Sequence, residues 1–211
     1  ALVTYVHANS PAAKAGINPG TVLLRLRTPA EPAPIEIHLD EDFMRAQPFP
    51  WDRMDEIREQ FFDRLWTPWA PAENAFTRSL TDLGFGSRFT LEYFTDGKLQ
   101  SGEFEVIPGP THFDSAARFK SESLGLTVRD LTFEVRRYMQ RKADEPGVVI
   151  SKLEPGSKAS ISGLKPYEII THINDQPVTH VKDFEQLAGA GGELKLSIKR
   201  MAKGRIVTIK N

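Results

Sequence analysis

The chain has 211 residues, 40% of them hydrophobic and 26% charged. That is ordinary globular composition, which excludes disordered and collagen-like chains, and the length allows one large domain or two small ones. There is no cysteine, so disulfides, zinc fingers, iron–sulfur clusters and thiol nucleophiles are excluded. The net charge of −1 argues against a nucleic-acid partner, which calls for a basic excess. No apolar run reaches the roughly 18 residues of a membrane helix. The opening ALVTYVHANS reads as a strand rather than a secretory leader. Residues 1–115 carry 10 basic and 17 acidic side chains, net −7, and residues 116–211 carry 17 and 11, net +6. That split suggests two domains that attract each other or face different partners.

In chain order, Leu2–Val6 alternates as a strand and leads into Ser10-Pro-Ala-Ala-Lys-Ala-Gly-Ile-Asn-Pro-Gly20. Ser10 is placed to cap a helix of one or two turns. Gly16 ends it where a positive φ is needed. Val22–Leu26 is the next strand. A long insertion follows, about residues 40–72. Within it Trp51, Met54, Ile57, Phe61 and Leu65 form an apolar stripe at helical spacing, which predicts an amphipathic helix over 51–66. That stripe packs either on its own domain or, as a lid or docking surface, against another. Helix 73–83, strand 88–94, a turn at Asp96-Gly97 and strand 102–107 complete the first copy. Asp40-Glu-Asp42 reads as a solvated turn, and Asp82–Gly86 as a helix end.

The same plan recurs. Strand Val148–Leu153 precedes Ser157-Lys-Ala-Ser-Ile-Ser-Gly163-Leu-Lys-Pro-Tyr167, and strand Ile169–Ile173 follows. Thr179 is a plausible cap for helix 180–188, with a further helix predicted over 131–142. Leu194, Leu196 and Ile198 alternate in a hairpin that turns at Ala202-Lys203-Gly204 and returns through Ile206–Ile209. The basic residues of this hairpin read as keeping an edge strand soluble.

The second copy resembles a PDZ domain of the bacterial HtrA/Deg type. The residues that carry the likeness are Ser123-Leu-Gly-Leu126, Gly147-Val-Val-Ile-Ser151, Glu154-Pro-Gly-Ser157, Ser162-Gly-Leu-Lys-Pro166, Glu168-Ile-Ile170 and Ile173-Asn-Asp-Gln-Pro-Val178. Tyr167 stands where this type usually has glycine. The first copy resembles the same family over 2–26 and 73–107, without a counterpart of the Ser123–Leu126 loop. The resemblance implies an α+β, mainly β fold: two PDZ-like, partly open β-barrels with short helices, the first bearing the helical insertion. Domain 1 is 1–110, the linker 111–122, domain 2 123–211.

A PDZ groove adds a peptide C-terminus as a strand beside an exposed edge, and loop amides hold its carboxylate. The resemblance places that loop at Ser123, Leu124, Gly125 and Leu126, and puts Val148 and Ile150 near the groove. Its other wall is His180, Phe184 and Leu187 at i, i+4, i+7 spacing. His180 either selects a hydroxyl residue two before the ligand's end or is an exposed helix-start histidine. Gly125 is expected to sit in a surface loop, so that Gly125→Val weakens ligand binding and leaves the fold intact. No catalytic centre, metal site or cofactor is expected, since no nucleophile–base arrangement or metal-ligand spacing is present. The expected partners are C-terminal peptides or unfolded proteins and a trypsin-like protease domain of the same polypeptide, with a homo-oligomer possible and a bacterial envelope or periplasmic location. The alternatives are the PDZ pair of a membrane-embedded site-2-type protease and a non-proteolytic assembly or secretion scaffold.

Overall fold

The computed structural model describes residues 1–8, 10–38, 49–58, 61–62, 67–69 and 75–210. They divide into two compact units, Ala1–Gln47 with Pro71–Gly109, and Pro48–Ala70 with Pro110–Asn211.

The strand–Ser–helix–Gly–strand plan forms twice, with the same bonds each time. In the first unit Ser10 Oγ accepts from Ala13 N–H at 3.1 Å to start α1 (Pro11–Lys14). Gly16 ends it at φ +79°. Ile17 N–H then returns to the Ala12 carbonyl at 3.0 Å and buries its side chain. The remaining elements are β1 (Val22–Thr28), β2 (Glu31–Glu36), α2 (Ala75–Leu83), β3 (Arg88–Thr95) and β4 (Lys98–Glu105). The sheet order is β2-β1-β3-β4. The expected strand Leu2–Val6 is reduced to one bridge, Leu2 to Val22, with Val3 N–H bonded to the Thr21 carbonyl at 2.8 Å. Strand β2, EPAPIE, was not foreseen: two prolines in six residues argue against a strand, but one that pairs on a single side loses little by lacking N–H donors. Phe76, Leu80 and Leu83 of α2 pack on a core of Ile17, Leu26, Ile37, Phe89, Leu91, Tyr93, Phe104 and Val106. Gly84 has φ +79°, the helix-ending turn read at Asp82–Gly86. Asp40-Glu-Asp42 lies outside the described residues.

The second unit contains β5 (Arg118–Ser121), β6 (Leu126–Asp130), α3 (Phe133–Tyr138), β7 (Val148–Leu153), α4 (Lys158–Ile161), β8 (Ile169–Ile173), β9 (Gln176–Pro177), α5 (Val181–Gly189), β10 (Glu193–Arg200) and β11 (Lys203–Lys210). The order is β11-β10-β8-β7-β6-β5, with β9 paired to β8. Ser157 Oγ caps α4 through Ser160 N–H at 3.2 Å, and Gly163 ends it at φ +82°. Among the described residues both sheets are open, in keeping with the partly open barrels expected. Two expectations shift. Helix α5 begins one residue late, with His180 rather than Thr179 at its N-cap. Residues 118–121, read as linker, are a strand of the sheet.

The insertion departs most. Trp51–Arg53 is a single 3-10 turn, and a further turn follows through Glu56. Residues 63–66, with Leu65, lie outside the described residues. Helical spacing is overridden by burial: Phe49, Met54 and Trp69 sit in one cluster with Phe113, Val149, Tyr167 and Ile169, and Trp51 packs against it. The insertion therefore covers a face of the second unit's sheet. Trp51 Nε1–H donates to the Tyr138 hydroxyl at 3.0 Å. The ring of Tyr167 meets Phe49 at 5.6 Å and Trp69 at 5.3 Å. Two of the hairpin's basic residues do more than solubilise an edge. Arg205 Nη2 reaches both carboxylate oxygens of the fully buried Glu168, at 2.8 and 3.0 Å, and Arg200 bonds Asp55 of the insertion at 3.1 Å.

Candidate functional site

The site is assembled from β6, α5 and the loop before β6. Along β6, Leu126 and Val128 alternate inward and pack in the unit's core with Leu124, Ile150, Phe184 and Leu196. Helix α5 is fixed to this strand by Asp130. Its Oδ1 accepts from Val181 N–H at 2.7 Å and its Oδ2 lies 3.6 Å from His180 Nδ1. Asp183 Oδ2 takes Thr179 N–H at 2.8 Å and His180 N–H at 3.0 Å. Those backbone bonds hold the Asp183 carboxyl below the ordinary aspartate range.

Strand β6 has two neighbours. On one side is β7, with Val128 opposite Ile150. On the other, antiparallel, lies the chain's own β5, with Phe119 opposite Val128 and Ser121 opposite Leu126. The alternation of β5 is complete over four residues. Ser121 and Phe119 point inward while Arg118 and Lys120 are exposed. The Phe119 ring packs 6.2 Å from that of Phe184 on α5. The loop then turns back through residues 122–125, and Gly125 N–H donates to the Ser121 carbonyl at 2.9 Å.

Ser123 is exposed in the turn, with its Oγ 3.4 Å from that of Ser121. Leu124 and Leu126 are core residues, 0% and 1% exposed. Val148 and Ile150 lie on β7, the strand inward of β6, and are fully buried in the unit's core. Phe184 is fully buried and Leu187 half-buried on the helix wall. His180 is exposed at the helix start beside Asp130. Gly125 is not a surface position. A Cβ there would lie 2.3 Å from Ser157 Cβ, and φ is +68°. Its carbonyl accepts from Glu154 N–H at 2.9 Å, and the Leu124 carbonyl from Ala159 N–H at 3.0 Å. The loop is thus built into the start of α4, and Gly125→Val would damage the fold as well as the site. Phe119, Ser121 and Asp130 were missed. Arg-Phe-Lys-Ser alternates over too few residues to stand out from a linker.

Beyond the Arg118 end of β5 the groove opens into a cavity of about 480 Å3 lined by Ala117, Asp130, Thr132, Arg136, Thr179 and His180. In the first unit an apolar hollow of about 360 Å3 is lined by Val3, Val6, Leu23, Phe76, Leu80 and Phe104.

A strand, a Leu-Gly-Leu turn and a helix-walled edge are the parts of one family, and its model, the PDZ domain, matches residues 115–199. This stretch is a PDZ domain. Similar curated proteins include several called probable periplasmic serine endoprotease DegP-like. That of Pseudomonas putida strain W619 is 29% identical over 140 residues, which are 61% of this chain and 28% of the relative. That of Pseudomonas fulva strain 12-X is 26% identical over 216 residues, covering 100% of this chain and 37% of the relative. The chain thus spans about a third of these relatives' length. Among solved structures, the HtrA3 PDZ domain bound to a phage-derived ligand is 18% identical, with a TM-score of 0.37, over 44% of this chain and 84% of that one.

Proposed function

We propose that this chain is a peptide-binding regulatory module of a DegP-like serine protease. Its PDZ domain receives extended polypeptide segments beside β6 by strand addition, and the protease domain belongs to a longer polypeptide of which this chain is a part. The observation that carries the reading is the occupied groove. A four-residue strand lies antiparallel to β6, its inward ring against α5. Its last carbonyl takes the Gly125 amide, as a ligand's carboxylate would. The relatives' names support the protease context and a periplasmic location. C-termini of unfolded proteins are the ligand class that fits a strand edge with apolar pockets.

The test is calorimetric titration of the chain with peptides ending in free carboxylates and with the same peptides amidated. Free acids should bind, and amidation should weaken them at least about tenfold, roughly 1.4 kcal/mol. Saturable binding that ignores the terminal carboxylate would overturn the C-terminal mode. A second reading is favoured by the same occupancy: with its edge already paired, the PDZ domain serves as an assembly scaffold. Under that reading no peptide binds, even at millimolar concentration.

A further inference from the structure

We infer that Arg118–Ser121 is a built-in ligand of the PDZ groove, which external peptides must displace, and that its sequence states the ligand chemistry the groove accepts. The inference rests on the peptide-binding reading above.

Three observations converge on it. The first is direction. Strand β5 runs antiparallel to β6 and ends at the loop, with Ser121 opposite Leu126, the residue that follows Gly125. A peptide C-terminus added to this edge would end at the same place. The second is chemistry at that end. The Ser121 carbonyl oxygen already accepts the Gly125 N–H at 2.9 Å, so an incoming carboxylate and the chain's own carbonyl compete for one donor. The third is side-chain occupancy. Ser121 is 6% exposed, filling the terminal position with a small group. Phe119, two residues earlier, packs against Phe184 and the unit's core. The displacing peptide therefore carries a small terminal side chain and an aromatic residue two before it.

The occupant is held from upstream as well. Arg129 Nη1 donates to the Phe113 carbonyl at 3.0 Å and the Asp114 carbonyl at 2.7 Å. The Phe113 ring lies under that guanidinium, 5.2 Å away, and against Trp69 of the insertion at 5.1 Å. The segment leading into β5 is thus clamped on both sides, so its effective concentration at the groove is high. A free peptide has to overcome that advantage by its own affinity or bind after β5 has detached.

The probe is the segment itself, the free-acid hexapeptide Ala-Ala-Arg-Phe-Lys-Ser of residues 116–121, labelled at its amino end. Binding is read by fluorescence anisotropy on the full chain and on Phe119→Ala. The substituted chain should bind at least tenfold tighter than the unsubstituted one, and Ala-Ala-Arg-Ala-Lys-Ser should bind neither. Equal binding to both chains overturns the internal ligand while peptide binding stands. No binding to either chain, with Phe119→Ala folded by circular dichroism, overturns both. Hydrogen exchange on the unsubstituted chain tests the inference without a variant. Saturating peptide should speed exchange at the β5 amides. Peptide bound with β5 still protected overturns the inference.

Discussion

At the scale of single residues, Tyr167 and Asp183 decide the most. Tyr167 sits at φ +65°, a left-handed conformation that costs a side chain about 1–2 kcal/mol. The cost is offset because the same backbone bonds Ile150 at 2.7 Å and turns the ring into the cluster of Phe49 and Trp69. Tyr167→Ala keeps the strain and loses the ring, so urea unfolding should show a loss of about 3 kcal/mol. Tyr167→Gly loses the ring and relieves the strain, and should be about 0.5–1 kcal/mol less damaging than alanine. Equal losses would mean the backbone there is not strained. Asp183 works through charge. Its pKa is held down by the Thr179 and His180 amides, so its carboxylate adds stability that is full above the unfolded-state value, about 3.9. That contribution is lost as pH falls through the lower folded value. Asp183→Asn should therefore flatten the acid side of the stability profile below about pH 4 and change little in its slope at neutral pH.

At the scale of elements, the β5–β6 hairpin and the start of α4 form one construction around Gly125. A methyl group there meets Ser157, whose hydroxyl caps α4, and it also takes an unfavourable φ. Gly125→Ala should cost about 2–4 kcal/mol in chemical unfolding, from overpacking and backbone strain together. Gly156→Ala should cost only the backbone share, about 1–2 kcal/mol, since its φ is +71° but nothing lies within 4 Å. If the two variants lose the same stability, the close approach to Ser157 carries no weight. The same hairpin explains why the site was only half legible. Ser123–Leu126 is recognisable through the family resemblance, and Gly125 at φ +68° supplies the turn it calls for. Phe119 and Ser121 gain meaning only once a partner strand gives them an inside.

At the scale of the whole molecule, the insertion lies in the sequence between elements of the first unit but packs with the second. All three tryptophans, Trp51, Trp66 and Trp69, fall within it, and Trp69 is 3% exposed against Phe113 and Tyr167. Tryptophan emission should therefore report the unfolding of the second unit. Trp69→Ala should lower that unit's stability by about 3–5 kcal/mol. Leu99→Ala, at an exposed position of the first unit, should change stability by no more than about 0.5 kcal/mol. An emission change that follows the first unit's unfolding instead would refute the assignment.

The sequence by itself determined the two copies, their serine caps, their glycine stops and the Leu-Gly-Leu loop. Each of these is local: a hydroxyl three residues from an amide, or a backbone angle only glycine takes easily, acts within a few residues wherever the chain goes. Only the tertiary structure decided that the 51–66 stripe is not one helix, that Arg118–Ser121 is a strand, and that Glu168 is buried between arginines. Those outcomes depend on which surface each segment meets. A face of β7 and β8 left open by the second copy attracts Phe49, Met54 and Trp69 more strongly than helical spacing orders them. An unpaired edge of β6 beside α5 likewise gives Arg-Phe-Lys-Ser a partner that its own four residues do not specify.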